Sequence, residues 1–123
     1  MSTSSTNAGS AAFVTTADTA WEEVATGVRR QVLGHGPDLM MVRVDFATGA
    51  VGALHHHPHR QVTYVAAGQF HVTVGEERRT LVAGDCFFAR ADETHGVVAL
   101  DAGTLIDVFT PAREDFLTSA PPV

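Results

Sequence analysis

Apolar and polar residues alternate along short segments of this chain. The clearest case is the segment from Leu39 to Phe46, where every second residue from Met40 onward is apolar. Successive side chains of a β-strand point to opposite faces, so this alternation predicts a strand with one buried face.

Further segments of this kind follow at intervals of about ten residues. They are 28–33, 61–67, 70–74, 79–82, 86–89, 96–100 and 104–109. Turn-forming sequences separate several of them, such as Gly75-Glu76-Glu77 and Asp101-Ala102-Gly103. Only residues 18–26 could form a turn or two of helix. Short strands separated by frequent turns favour an all-β sandwich or barrel, and the absence of an internal repeat favours a single one.

The domain boundaries are predicted from composition. A chain of 123 residues is one domain in length. Residues 1–12 are rich in Ser, Thr and Ala, and we expect a disordered leader there, followed by the barrel over residues 13–123. The leader has no basic start and no apolar run, and no segment is apolar enough to span a membrane, so the simplest expectation is a cytoplasmic protein.

The charge balance constrains the partners. The formal net charge is −6, which argues against nucleic acid, because such a partner would require a basic surface. An acidic ligand would have to be bound by locally placed arginines. With Cys86 as its one cysteine, the chain cannot form an internal disulfide.

A histidine-rich tract is the strongest chemical signal. Four of the five residues from His55 to His59 are histidines. In an extended segment His55 and His57 would point the same way, and Gln61 and His95 can reach the same point from neighbouring strands. Three imidazoles and one amide oxygen would leave open positions on a divalent metal. The alternative at this stage is a solvent-exposed loop.

The spacing of these residues resembles the cupin superfamily. The first cupin motif is matched by Gly49, His55, His57, Gln61 and Gly68, with Gln in place of the usual Glu. The second is matched by Gly84 and by His95 eleven residues later. Three positions depart from the second motif, namely Arg90, Asp92 and Ala99. The resemblance implies a double-stranded β-helix, or jelly-roll barrel, with the metal held by His55, His57, Gln61 and His95.

Within that superfamily the chain resembles the KdgF-type single-domain cupins. The resemblance spans residues 13–117 and includes Trp21, the segment 27–34, the histidine tract and the segment 107–116. The family implies a metal-dependent isomerase that converts 4,5-unsaturated uronates, released by pectin and alginate lyases, into the open-chain keto sugar. Arg60 stands where these proteins usually have Glu, a departure that can change the substrate.

The same resemblance assigns roles to Asp107 and Phe109. These residues share a strand face with Leu105, so a carboxylate can lie inside the barrel near the metal. The pattern alone slightly favours a surface aspartate, because Ile106 and Val108 make the other face apolar as well. The family match instead indicates Asp107 as the catalytic acid/base and Phe109 as a substrate contact.

Two arginines are candidates for binding a substrate carboxylate. Arg30 shares a face with Val28 and Val32, so it can point inward, with a salt bridge at the rim as the alternative. Arg113 follows the last predicted strand and can close over the pocket mouth, or lie in solvent.

We therefore predict a metal-dependent isomerase acting on a sugar acid. The alternatives are a metal-dependent dioxygenase acting on a small organic substrate and a non-enzymatic sugar-binding cupin. The cofactor would be one divalent transition metal, with Ni, Zn, Fe, Mn and Co all compatible with the ligands. We expect a homodimer formed by exchange of an N-terminal strand near residues 28–33.

Overall fold

Residues 9–118, which the computed structural model of the protein describes, consist mainly of β-strands. In chain order these are β1 (Glu22–Ala25), β2 (Val28–Gly36), β3 (Leu39–Phe46), β4 (Val51–His55), β5 (Arg60–Ala67), β6 (Gln69–Val74), β7 (Glu77–Val82), β8 (Cys86–Ala89), β9 (His95–Ala99) and β10 (Gly103–Thr110). A short 3₁₀ helix, Thr16–Asp18, precedes them and one helical turn, α1 (Glu114–Leu117), follows.

The strands form two antiparallel sheets. The larger has the order β1-β2-β3-β10-β5-β8, and the smaller has the order β4-β9-β6-β7. Both sheets contribute to one hydrophobic core, with Met40 and Val42 from the larger sheet and Phe70 and Ala99 from the smaller all fully buried. This confirms the predicted all-β jelly-roll barrel.

The alternation in the sequence is the direct cause of this core. Along β3 the residues alternate between buried and more exposed positions, and Met40, Val42, Val44 and Phe46 are the buried ones. Between β6 and β7 the chain turns in two residues, Gly75 and Glu76. Gly75 makes this turn possible because its φ of +59° is a backbone conformation that residues with a side chain rarely adopt.

Residues 18–26, the segment where a turn or two of helix was possible, form no such helix. The 3₁₀ helix ends at Asp18, and Glu22–Ala25 forms an edge strand instead. The strand forms because of contacts with β2, in which Glu22 lies opposite Arg30 and Glu23 lies opposite Arg29. Opposite charges across two strands favour pairing over local helix formation.

The predicted leader lies largely outside the described residues, which begin at residue 9. Within the described part, Ser10 donates its backbone N–H to the carbonyl of His35 and accepts the His35 N–H at its hydroxyl. Over residues 9–118 no helix is long and apolar enough to cross a membrane.

A register shift next to the histidine tract determines which side chains face the centre. Gly52 pairs with Val97, but His55 pairs with His95, so β4 contains one more residue than β9 between these pairs. Such a bulge reverses which side chains point inward. Gly96 permits the close approach of the two strands, because a Cβ there would lie 2.9 Å from the Gly52 carbonyl oxygen.

The homodimer remains a prediction. Within one chain, residues 28–30 pair with β1 and residues 28–32 pair with β3. The outer face of the larger sheet instead presents an apolar row across four strands, consisting of Met41, Val108, Val62 and Phe88. Three of these four side chains are more than two-fifths exposed. A second copy would bury them.

Sedimentation should therefore give twice the 13.0 kDa mass of one chain. Combining Val62→Glu with Phe88→Glu should give the single-chain mass, because each charge would be buried at the contact. Leu100→Glu, at an apolar position of similar exposure outside the row, should leave the dimer intact. A mass of 13.0 kDa for the unmodified protein over a wide concentration range would contradict the prediction.

Candidate metal centre

The four predicted ligands come together inside the barrel. His55 ends β4, His57 follows in the loop, Gln61 lies near the start of β5 and His95 begins β9. One ring nitrogen from each histidine lies within 4.8 Å of the others. The Oε1 atom of Gln61 is 3.0 Å from the Nε2 atoms of both His57 and His95.

The opposite nitrogen of each ring is bonded to the backbone. The Nδ1 atoms of His55, His57 and His95 lie 2.8–3.0 Å from the carbonyl oxygens of Ala53, His59 and Glu93. A carbonyl oxygen only accepts, so each Nδ1 must carry the hydrogen. In a neutral ring, Nε2 then presents its lone pair to the centre, the arrangement typical of metal-binding histidines.

The amide of Gln61 is held in one orientation. Its Nε2 donates to the hydroxyl of Thr63 at 2.8 Å and lies 3.4 Å from Oδ1 of Asp107. Its Oε1 therefore faces the imidazole lone pairs, and these converging atoms are all acceptors. A cation between them would make this arrangement favourable, so the residues present fit a divalent metal.

Burial favours the neutral form of the imidazoles of His57 and His95. His57 and Gln61 are each 6% exposed, and His95 is 2% exposed. Burial lowers the pKa of His95 to about 4, and it also lowers the pKa of His57, assisted by the positive charge of Arg113. His55 is exposed, so the centre is accessible from its side.

Asp107 faces the same cavity as these ligands. It lies on β10 directly opposite Thr63 of β5, and its Oδ1 accepts a 2.6 Å hydrogen bond from the Thr63 hydroxyl. Burial raises the pKa of the Asp107 carboxyl to about 6, against the lowering effects of the Thr63 bond and the Arg113 charge. The surface location that the pattern alone favoured is therefore wrong.

Phe109 lies on the same face of β10 and is 2% exposed. Its ring packs edge-on against those of His57 and Phe116, at centroid distances of 5.7 Å in both cases. It therefore forms an apolar wall of the cavity beside the ligands.

Both predicted arginines line the cavity and stack on the ring of Phe116. The guanidinium carbon of Arg30 is 3.6 Å from the Phe116 ring centroid, and that of Arg113 is 4.2 Å from it. Arg30 is also paired with Glu22, and Arg113 with Asp115. Their side chains are only 17% and 12% exposed, so neither extends freely into solvent.

Two residues of this site, Thr63 and Phe116, were not predicted from the sequence. Thr63 is fully buried between Gln61 and Asp107, and Phe116 lines the mouth from α1. The alternation that relates Gln61 to Thr63 on one face of β5 could have identified the first. Nothing in the local sequence indicated the second.

Arg60 is exposed on the face of β5 opposite Gln61.

Comparison with protein-family models matches residues 42–109 to the cupin domain. The pectin degradation protein KdgF of Dickeya dadantii is 49% identical over 102 residues, which cover 81% of this chain and 93% of that protein.

Two solved structures are similar in both fold and sequence. An RmlC-like cupin from Shewanella frigidimarina has a TM-score of 0.86 and 44% identity, covering 88% of this chain and 97% of that one. KdgF from a Halomonas species has a TM-score of 0.83 and 40% identity, covering 87% and 99% respectively.

The geometry predicts that the purified protein binds about one divalent ion per chain, as elemental analysis would measure. His57→Ala should abolish this binding, because it removes a buried ligand. His56→Ala is the matched control and should retain the metal, since His56 is exposed and lies near Asp92 rather than the centre. If the unmodified protein takes up none of Ni, Zn, Fe, Mn or Co, the metal assignment fails.

Proposed function

This chain belongs to the cupin family, among its KdgF-type single-domain members, and on that premise we propose that it is a metal-dependent isomerase of an unsaturated uronate or a related enol sugar. The reaction would open the sugar to its linear keto form. The observation that carries this proposal is that Asp107 lines one small cavity together with three of the candidate ligands, His55, Gln61 and His95.

The size of the cavity favours a small substrate. Its volume is about 160 Å³, below the ~300–1,000 Å³ of pockets that bind drug-sized ligands. A single sugar acid is therefore a better candidate than a polymer. The names of the related proteins point the same way, since one of them is described as a pectin degradation protein.

The arginines favour an acidic substrate. A guanidinium has five donors, and the pairs with Glu22 and Asp115 use only some of those of Arg30 and Arg113. Donors remain for a substrate carboxylate at the mouth, where the stacking on Phe116 holds both groups in place. The remaining N–H groups supply local hydrogen-bond donors for an anion on a protein whose net charge is −6.

Conversion of an enol to a ketone requires a proton to reach carbon and another to leave oxygen, with no net change in protons. When bound by His55, His57, Gln61 and His95, the metal would supply a Lewis acid for a substrate oxygen. The carboxyl of Asp107 would carry the proton, because burial raises its pKa to about 6 and both of its forms are accessible near neutral pH. Phe109 would restrict the access of water to that carboxyl.

Oxygen dependence separates the isomerase from a dioxygenase. The proposed reaction transfers only protons, so turnover of a 4,5-unsaturated uronate should proceed at the same rate with and without O₂. The comparison needs one protein preparation assayed in air and in an anaerobic chamber. A strict requirement for O₂ would replace the isomerase by a dioxygenase.

Asp107→Asn tests the proton carrier. The substitution keeps the shape of the side chain and removes the acid, so we expect the metal to remain and kcat to fall by about 10²–10⁴-fold, the typical contribution of a positioned acid/base. Asp101→Asn, at an exposed turn position, is the control and should keep full activity. Full activity of Asp107→Asn on a confirmed substrate would exclude this role and make Arg113 the next candidate.

A further inference from the structure

Thr63 connects the candidate metal centre to the candidate proton carrier. It lies two residues after Gln61, on the same inward face of β5, and pairs directly with Asp107 of β10. Its side chain has no exposed surface. Its hydroxyl is 2.8 Å from the amide nitrogen of Gln61 and 2.6 Å from a carboxylate oxygen of Asp107.

The hydroxyl has one hydrogen, and this determines the direction of both bonds. The hydrogen goes to the carboxylate of Asp107, which in its ionised form only accepts. The oxygen of Thr63 must then accept from Gln61, so the amide has to present its NH₂ group to Thr63. The amide oxygen is thereby directed to His57 and His95.

The opposite orientation of the amide would be harmful to metal binding. With its NH₂ group toward the histidines, Gln61 would donate hydrogen bonds to the Nε2 lone pairs of His57 and His95, which lie 3.0 Å from the atom now present there. Those bonds would satisfy the imidazoles without a metal and would compete with it. The amide orientation therefore decides whether the centre attracts a cation.

We propose that Thr63 is a positioning residue, whose hydroxyl orients the Gln61 amide for metal binding and anchors the Asp107 carboxylate beside it. This proposal rests on the candidate metal centre and deepens the proposed function. The hydrogen bonds from Thr63 and Gln61 to the carboxylate both end on Oδ1, so the anchoring leaves Oδ2 for the substrate. Thr63 itself needs no contact with metal or substrate.

Thr63→Val tests the proposal, because valine keeps the shape and removes the hydroxyl. Calorimetric titration of metal-free protein with Ni²⁺ alone should show about 10–100-fold weaker binding, the usual effect of removing a partner of a metal ligand. Thr63→Ser restores the hydroxyl and should restore the affinity. Turnover of the uronate should fall in the valine variant and recover in the serine variant.

Thr104→Val is the matched control. The Thr104 hydroxyl also donates to a carboxylate within the larger sheet, that of Asp45 at 2.9 Å, but away from the cavity. This variant should bind Ni²⁺ like the unmodified protein. Unchanged Ni²⁺ affinity in Thr63→Val, or equal weakening in Thr63→Ser, would overturn the proposal.

A second measurement needs no variant. In the NMR spectrum of the metal-free protein, the side-chain amide hydrogens of Gln61 should show nuclear Overhauser effects to the methyl group of Thr63. Effects to the ring hydrogens of His57 or His95 instead would overturn the proposal even if Thr63→Val failed to fold. These outcomes are separate from the proposed reaction, which would fail on its own if metal-loaded unmodified protein did not convert the uronate.

Discussion

Hydrogen-bond acceptors that converge without a donor are the constraint on which the rest of this structure depends. Three backbone carbonyls hold the histidine rings by Nδ1, and the Nε2 lone pairs of His57 and His95 lie 3.0 Å from the amide oxygen of Gln61. A buried polar group without a partner costs about 1–3 kcal/mol. A cation that accepts these lone pairs would therefore stabilise the barrel as well as complete the centre, which would link metal binding to the stability of the fold.

The barrel around this centre holds three kinds of side chain in fixed positions: imidazoles, a carboxyl and guanidinium groups. Core residues from both sheets surround it, and the extra residue in β4 turns His55 toward His95. Opposite the histidines, the Thr63–Asp107 pair extends the network to a carboxyl whose pKa is raised by burial. At the mouth, Arg30 and Arg113 line the cavity and both stack on Phe116. The same small space thus contains three of the candidate metal ligands, a buried carboxyl and two guanidinium groups.

Much of this could be predicted from the sequence, because alternation and motif spacing are local signals. Eight of the ten strands, the jelly-roll class and the grouping of the four ligands follow from periodicity and from the cupin spacing, whereas β4 was not among the predicted strands. The edge strand Glu22–Ala25 could not be predicted, since cross-strand pairing with β2 decides it. The bulge in β4 has no local signature either, and His57 reaches the centre from a loop rather than from the extended strand that the spacing indicated. The position of Phe116 depends on packing between distant parts of the chain.

The most direct test of the converging acceptors is ¹⁵N NMR of the histidine side chains. In metal-free protein near neutral pH, His57 and His95 should be neutral rings with the hydrogen on Nδ1, and one equivalent of Zn²⁺ should shift their Nε2 signals together with that of His55. Rings with the hydrogen on Nε2, or Nε2 signals unchanged by Zn²⁺, would contradict the account, because the lone pairs would then not face a common cation.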